Sequence, residues 1–247
     1  MELKEFFEEN RKIALGFSGG VDSSYLLYAA TKYGADVKAY YVKTQFQPAF
    51  ELADAKRLAE DIGVAITILD YDVLQHEEIC ANPPNRCYYC KKRIFGLIRE
   101  KALEDGYTTI IDGTNASDDP NDRPGMKALF EFGVLSPLRE CGLTKQDIRL
   151  LSKEAGLFTW NKASYSCLAT RITQEDKITE ERLERVEKAE SILFKMGFTD
   201  FRVRMHGKEA RIQFKEEEME RAFAMRREIY DSLKDGFENI GMDLQGR

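Results

Sequence analysis

Residues Gly16 to Leu27 read GFSGGVDSSYLL. The apolar run KIALGFS leads into the paired glycines and reads as a buried strand. DSSYLLYAATKYG follows and reads as a helix, with Asp22 or Ser23 near its cap and Gly34 at its end. A glycine-rich turn between a parallel strand and a helix gathers backbone N–H groups at a helix N-terminus, where phosphate is favoured. Gly19 and Gly20 let a ligand approach the backbone, and Ser18, Ser23 and Ser24 add hydroxyl donors. The patterns G-x-x-x-x-G-K-[ST] and G-x-G-x-x-G are both absent, so the loop carries no lysine and terminal-phosphate transfer of the P-loop kind is not indicated. A simple tight turn is the alternative. The loop's place after the first strand of an α/β sheet, where ligands gather, favours binding.

Outward from the loop, DVKAYYVKT, VAITILDYD and YTTIIDGTN read as further strands. AFELADAKRLAEDIG and YYCKKRIFGLIREKALEDG read as the helices between them. This alternation predicts an α/β fold, a parallel sheet with helices on both faces. A polar loop, TNASDDPNDRPG, leads to MKALFEFG and then to SPLRECGLTKQDIRLLSKEAG, where Thr144 and Asp147 form a capping box. From about residue 172 the pattern changes. TEERLERVEKAESILFKMG reads as a long helix, and FRVRMHGKEARIQF as two strands joined at His206-Gly207-Lys208. EEEMERAFAMRREIYDSLKDGF reads as one helix and NIGMDLQG as a last strand. The expected organisation is a nucleotide-type domain over residues 1–170 and a smaller α+β domain over residues 171–247.

With 247 residues, 43% hydrophobic and 32% charged, the chain has enough apolar sequence for a real core. No apolar run approaches the ~20 residues that span a bilayer. The first residues, MELKEFFEENRK, lack a signal peptide's apolar centre, so the expectation is a cytoplasmic protein with no membrane partner. A net charge of −6 argues against a nucleic-acid partner. Five cysteines, an odd number, point to metal or catalytic use rather than structural disulfides.

NPPNRCYYCKKRIF holds Cys87 and Cys90 at C-x-x-C spacing, and KASYSCLATRI holds Cys167. The pair has three readings: a redox pair, half of a zinc site, or part of an iron–sulfur site. A structural zinc wants four ligands, and no second C-x-x-C or H-x-x-x-H exists. The redox reading lacks the expected strand before the motif. Two cysteines and one distant one would hold three irons of a cubane cluster and leave the fourth open to carry a sulfide. Plain burial is the common fate of a lone cysteine such as Cys167. Cys80 and Cys141 have no assigned role.

In the second domain, FRVRMH alternates Phe201, Val203 and Met205 with Arg202, Arg204 and His206. Period two puts both arginines and the histidine on one face of a strand. A solvated face is one reading; a clamp for a substrate phosphate is the other, since the guanidinium fork matches phosphate oxygens. Arg171 and Arg211 are possible helpers. Glu190 falls on the apolar stripe of Leu183, Val186 and Leu193, which is costly unless it is paired with an arginine or binds metal or substrate.

SGGVDSS, Ser18-Gly19-Gly20-Val21-Asp22-Ser23-Ser24, resembles the PP-loop of the ATP pyrophosphatase superfamily, S-G-G-x-D-S. The resemblance implies that the loop holds the β,γ-pyrophosphate of ATP as a leaving group, that a substrate oxygen becomes an adenylate, and that Asp22 helps to hold Mg2+ and the phosphates. DGTNASD resembles the superfamily's second nucleotide loop, with Gly113, Thr114 and Asn115 as its candidates. Taken together, GFSGGVDSSYL, NPPNRCYYCK, SYSCLATRI, KITEERLERVEKAE and FRVRMHGKEARIQF resemble the LarE family over nearly the whole chain. Its members are sulfur transferases that build the nickel-pincer nucleotide of lactate racemase from pyridinium-3,5-biscarboxylic acid mononucleotide.

The resemblance implies ATP, Mg2+ and a [4Fe-4S] cluster as cofactors, with Cys87, Cys90 and Cys167 as cluster ligands. A homo-oligomer is the expected assembly. Members without the C-x-x-C sacrifice the sulfur of the late cysteine, here Cys167, and that route is one alternative. The resemblance also supports Arg202 and Arg204 as phosphate ligands. A tRNA thiolase, an amide-forming ligase and a nucleotide-sensing module are the competing functions.

Overall fold

The computed structural model describes residues 2–119 and 124–247; Pro120 to Arg123, within the expected polar loop, lie outside the described residues. The chain divides into two compact units: residues 1–72 with 85–164, and residues 73–84 with 165–247.

The first unit starts with helix α1 (Leu3–Glu9), strand β1 (Lys12–Gly16), helix α2 (Val21–Lys32), strand β2 (Asp36–Lys43), helix α3 (Ala49–Ile62) and strand β3 (Ile66–Asp70). The chain then enters the second unit through a 3₁₀ turn at Val73–Gln75 and the short helix α4 (Glu77–Cys80). It returns with helix α5 (Arg86–Glu104), strand β4 (Thr109–Ile111) and helices α6 (Gly125–Glu131), α7 (Pro137–Glu140) and α8 (Lys145–Glu154). The four strands are parallel in the order β3-β2-β1-β4.

Alternation along the strands explains the layers. Ile13, Leu15, Ala39 and Tyr41 face one side and pack with apolar residues of α1, α2, α3 and α8. Ala14, Tyr40 and Val42 face the other side and pack on Phe95, Ile98 and Ala102 of α5 and Leu129 of α6. With both faces covered, β1 is apolar at successive positions, as a central parallel strand must be. Thr144 and Asp147 close the expected capping box on α8.

The second unit holds helix α9 (Glu180–Lys195), strands β5 (Phe201–His206) and β6 (Glu209–Phe214), helices α10 (Met219–Ala224) and α11 (Arg226–Leu233), and strand β7 (Asn239–Met242). Its sheet runs β5-β6-β7, with β5 and β6 antiparallel and β6 and β7 parallel. Leu183, Val186, Ala189 and Leu193 of α9 are buried, as are Phe201, Val203 and Met205 of β5. Phe194, Phe198, Phe201 and Phe214 pack into one aromatic cluster with tilted rings. The single helix expected over residues 216–237 is instead a 3₁₀ turn followed by α10 and α11. Met225 separates the two helices with φ −88° and ψ 8°, and neither glycine nor proline marks the break. No helix among the described residues is long and apolar enough to cross a membrane.

Candidate functional site

Strand order reverses between β1 and β4, so the loops that follow these two strands leave the sheet side by side. The first is the glycine loop. Helix α2 begins at Val21 with Gly20 as its cap and no side-chain cap, one residue earlier than the sequence suggested. The amides at the start of an α-helix have no acceptor four residues back within the helix, so they are available to other acceptors. Gly19 has φ +71°, and a Cβ there would lie 2.9 Å from the Cβ of Ala55. Both facts require glycine. Ser18 and Ser23 close the loop on itself, with their hydroxyls 3.0 Å apart and the Ser18 N–H donating to Ser23 Oγ at 3.3 Å. Ser24 lies deeper: it is fully buried, and its hydroxyl has no hydrogen-bond partner among the described residues.

The second loop carries Gly113, Thr114 and Asn115. A Cβ on Gly113 would lie 2.9 Å from the Ser23 nitrogen, so the loop passes directly against the first turn of α2. Thr114 donates to Asp112, whose other oxygen accepts from Ser136 Oγ at 2.7 Å. Asn115 Nδ2 donates to Asp22 Oδ1 at 3.3 Å. The residues proposed for nucleotide binding on separate loops therefore meet at Asp22. Sequence reading missed two lysines that join them. Lys145 Nζ lies 2.6 Å from Asp22 Oδ2. Lys162 Nζ lies 2.7 Å from Asp54 Oδ2 and 3.4 Å from the carbonyl oxygen of Gly19. These contacts span 123 and 143 residues from loop to lysine, and no local pattern announces them.

Cys87 and Cys90 stand one turn apart at the start of α5, on one helix face; Cys87 is exposed and Cys90 half-buried. The Arg86 guanidinium approaches Cys87 Sγ at 3.9 Å. Cys167 belongs to the second unit. None of the five cysteines is in a disulfide. Among the described residues, no group of three or more His, Cys, Asp or Glu is placed to hold a metal ion.

The loop bearing Cys167 is pinned within the second unit. The Cys167 carbonyl accepts from the Thr170 N–H at 3.0 Å and the Thr170 hydroxyl at 2.8 Å. Arg171 Nη1 donates to the Ser166 carbonyl, the Ser166 hydroxyl and the Thr170 hydroxyl. Its remaining nitrogens grip Glu190, which also accepts from the Val203 N–H at 3.0 Å and from the Tyr165 hydroxyl. Arg171 and Glu190, both read from the sequence as possible site residues, are thus engaged with each other and with this loop. Burial, reinforced by Glu190, raises the Tyr165 pKa.

Arg202 and Arg204 of β5 flank this network. Arg202 is buried, with its guanidinium 5.3 Å from the Tyr165 ring centre; burial, with Arg171 and Arg247 nearby, lowers its pKa to about 10. Arg204 is exposed and donates to the Thr170 carbonyl at 2.9 Å and to Gln213 at 2.6 Å. Its pKa is lowered by partial burial of the guanidinium and by Arg171, Arg247 and Arg211. Arg211 pairs with Asp243 at 2.7 Å. Crowded arginines that depress one another's ionisation make a site that gains from an anion. Arg204 is tied to the cysteine loop through Thr170, and Arg202 lies over Tyr165.

A protein of Lactiplantibacillus plantarum, the pyridinium-3,5-bisthiocarboxylic acid mononucleotide synthase, is 31% identical over 239 residues, 96% of this chain and 87% of its own. The chain belongs to the family of that synthase. The uncharacterized protein slr1717 of Synechocystis sp. is 34% identical over 250 residues, covering 99% of this chain and 92% of its own. A family model described as the tRNA methyl transferase HUP domain matches residues 11–127, which fall mostly in the first unit and include residues 73–84 of the second. The tRNA-specific 2-thiouridylase MnmA of Pseudothermotoga lettingae is 28% identical over 188 residues, but this covers only 62% of this chain and 54% of the thiouridylase. Family membership thus rests on the synthase, whose likeness extends through both units.

Proposed function

We propose that this protein is an ATP-dependent sulfur transferase that converts the carboxylates of pyridinium-3,5-biscarboxylic acid mononucleotide to thiocarboxylates. The observation that carries this reading is the 31% identity to the synthase over 96% of the chain. The glycine loop beside Asp22 and Asn115 supports it. A carboxylate oxygen of the substrate attacks the α-phosphorus of ATP, and pyrophosphate leaves toward the amides of Gly19 to Ser23. Sulfide then attacks the acyl carbon, and AMP leaves with the carboxylate oxygen. A second cycle treats the second carboxylate. Arg202 and Arg204 hold the substrate phosphate, which sets the reacting carboxyl near the Cys167 loop. Asp22, one carboxylate beside a phosphate cradle, fits the way Mg2+ is held with nucleotides.

On this reading Cys87 and Cys90, one turn apart on α5, are two ligands of a [4Fe-4S] cluster and Cys167 is the third. When bound, such a cluster supplies the sulfide, and Cys167 keeps its own sulfur. The test is anaerobic incubation with ATP and the mononucleotide. The expected products are AMP, pyrophosphate and a nucleotide with oxygen exchanged for sulfur at each carboxylate. ADP and phosphate as products would overturn the adenylation step.

The HUP-domain match and the thiouridylase likeness favour a second reading, tRNA thiolation. The net charge of −6 counts against it. Sulfur appearing in tRNA, and none in the mononucleotide, would put it first.

A further inference from the structure

The glycine loop has no lysine of its own, yet two lysines from distant sequence stand at its two ends. Lys145, the first residue of α8, reaches Asp22 in the first turn of α2 at 2.6 Å. Lys162, just after the 3₁₀ turn at Phe158–Asn161, reaches Asp54 of α3 at 2.7 Å and the Gly19 carbonyl at 3.4 Å. Both belong to the first unit. Each ammonium is neutralised here by one carboxylate. Those same carboxylates, Asp22 and Asp54, would repel a polyphosphate arriving at the amides between them.

We propose that Lys145 and Lys162 are the pyrophosphate-binding cations of this site. Each exchanges its carboxylate for phosphate oxygens when nucleotide binds. The inference rests on the ATP-cleaving reading above and assigns residues that neither the loop pattern nor the relatives' names identify. Three features carry it. The ammonium groups flank the loop from opposite ends, which suits two adjacent phosphates. The Lys145 side chain is 31% exposed and the Lys162 side chain 16%, so neither is sealed in the core. A flexible lysine holding a single carboxylate can turn to a new partner without disturbing the backbone. Asp54 would then hold Lys162 back when the site is empty.

The test is calorimetric titration of the full chain with inorganic pyrophosphate and, separately, with AMP, each with and without magnesium. Lys145→Met and Lys162→Met should each weaken pyrophosphate binding by roughly 10- to 100-fold, as loss of one charge-assisted contact does. AMP binding should change less than about twofold, because AMP lacks the β,γ-phosphates that the lysines contact. Lys→Arg at either position should retain part of the affinity. Asp54→Asn, which frees Lys162, should tighten pyrophosphate binding, and this gain should vanish in the Lys162→Met background. Three results would overturn the proposal. Unchanged pyrophosphate affinity in both Met variants, with the parent protein binding normally, would leave ATP cleavage standing without these lysines. Equal losses for pyrophosphate and AMP together with a lowered melting temperature would make the lysines structural. A parent protein that binds neither pyrophosphate nor ATP would overturn the ATP-cleaving reading along with the clamp.

Discussion

Arg171 and Glu190 form a two-pronged ion pair, Nε to Oε1 at 2.8 Å and Nη2 to Oε2 at 3.2 Å, with side chains 0% and 2% exposed. Burying two charges is unfavourable unless their remaining donors and acceptors are used. Here they are: Arg171 also holds Ser166 and Thr170, and Glu190 also takes Val203 N–H and Tyr165. The pair joins the cysteine loop to the long helix and to the arginine strand. Arg171→Met or Glu190→Gln should destabilise the second unit by roughly 3–5 kcal/mol, since each leaves a buried charge unpaired. The double change to apolar residues should cost less than the sum of the single ones. Urea unfolding followed in the second unit measures this, and an unmoved midpoint in both single variants would remove the pair from the account.

Gly19→Ala should abolish nucleotide binding for two separable reasons, the left-handed backbone and the contact with Ala55. Adding Ala55→Gly removes only the side-chain part of the contact; the Ala55 Cα, 3.1 Å from such a Cβ, and the left-handed backbone remain. The double variant should therefore recover part of the lost affinity for a non-hydrolysable ATP analogue, and full recovery would show that φ at Gly19 is of no consequence.

Arg202→Ala and Arg204→Ala should each weaken mononucleotide binding by about 1.5–3 kcal/mol, the range for a hydrogen bond to a charged group. ATP affinity should stay unchanged. The two should differ in stability: Arg202 is buried against Tyr165, while Arg204 is exposed, so only Arg202→Ala should also lower the melting temperature. Equal substrate binding by both variants and the parent would rule out the clamp.

Protein prepared anaerobically with iron and sulfide should show an iron–sulfur absorption band, lost on chelation and in Cys87→Ala, Cys90→Ala or Cys167→Ala. Intact mass after turnover should show Cys167 unaltered. Dehydroalanine at that position, in protein free of iron, would replace the cluster route by the sacrificial one. Cys80 and Cys141 serve as controls. Cys80 is buried, with its Sγ 3.3 Å from the Leu74 carbonyl, and its removal should leave iron content alone.

Stability of the first unit should fall with acid through Asp105. Lys38, donating at 2.6 Å, and then Tyr40 hold its carboxyl at about 2, below the ordinary 3.8. A carboxyl lowered on folding stabilises the protein above its unfolded pKa, and that stabilisation is lost as pH falls from about 4 toward about 2. Lys38→Met should flatten this part of the stability curve in acid titrations followed by circular dichroism. A curve of unchanged slope would discharge the pair.

The order of strands and helices was legible because alternation and glycine placement are local. KIALG at β1, the capping box of Thr144 and Asp147, and the alternation along FRVRMH all depend on residues within a turn or two of each other. The same locality made SGGVDSS readable as a glycine turn between a strand and a helix. Glu190 was visible as a carboxylate on an apolar stripe, though not as the partner of Arg171. Tertiary structure alone decided what lay between distant segments. It put Val73 to Pro84 into the second unit, brought Lys145 and Lys162 to the glycine loop, and linked the Cys167 loop to Arg204 through Thr170. Charges can find partners across any sequence separation once the chain is compact. A sequence therefore shows which residues carry charge, and only the fold selects which carboxylate each lysine or arginine meets.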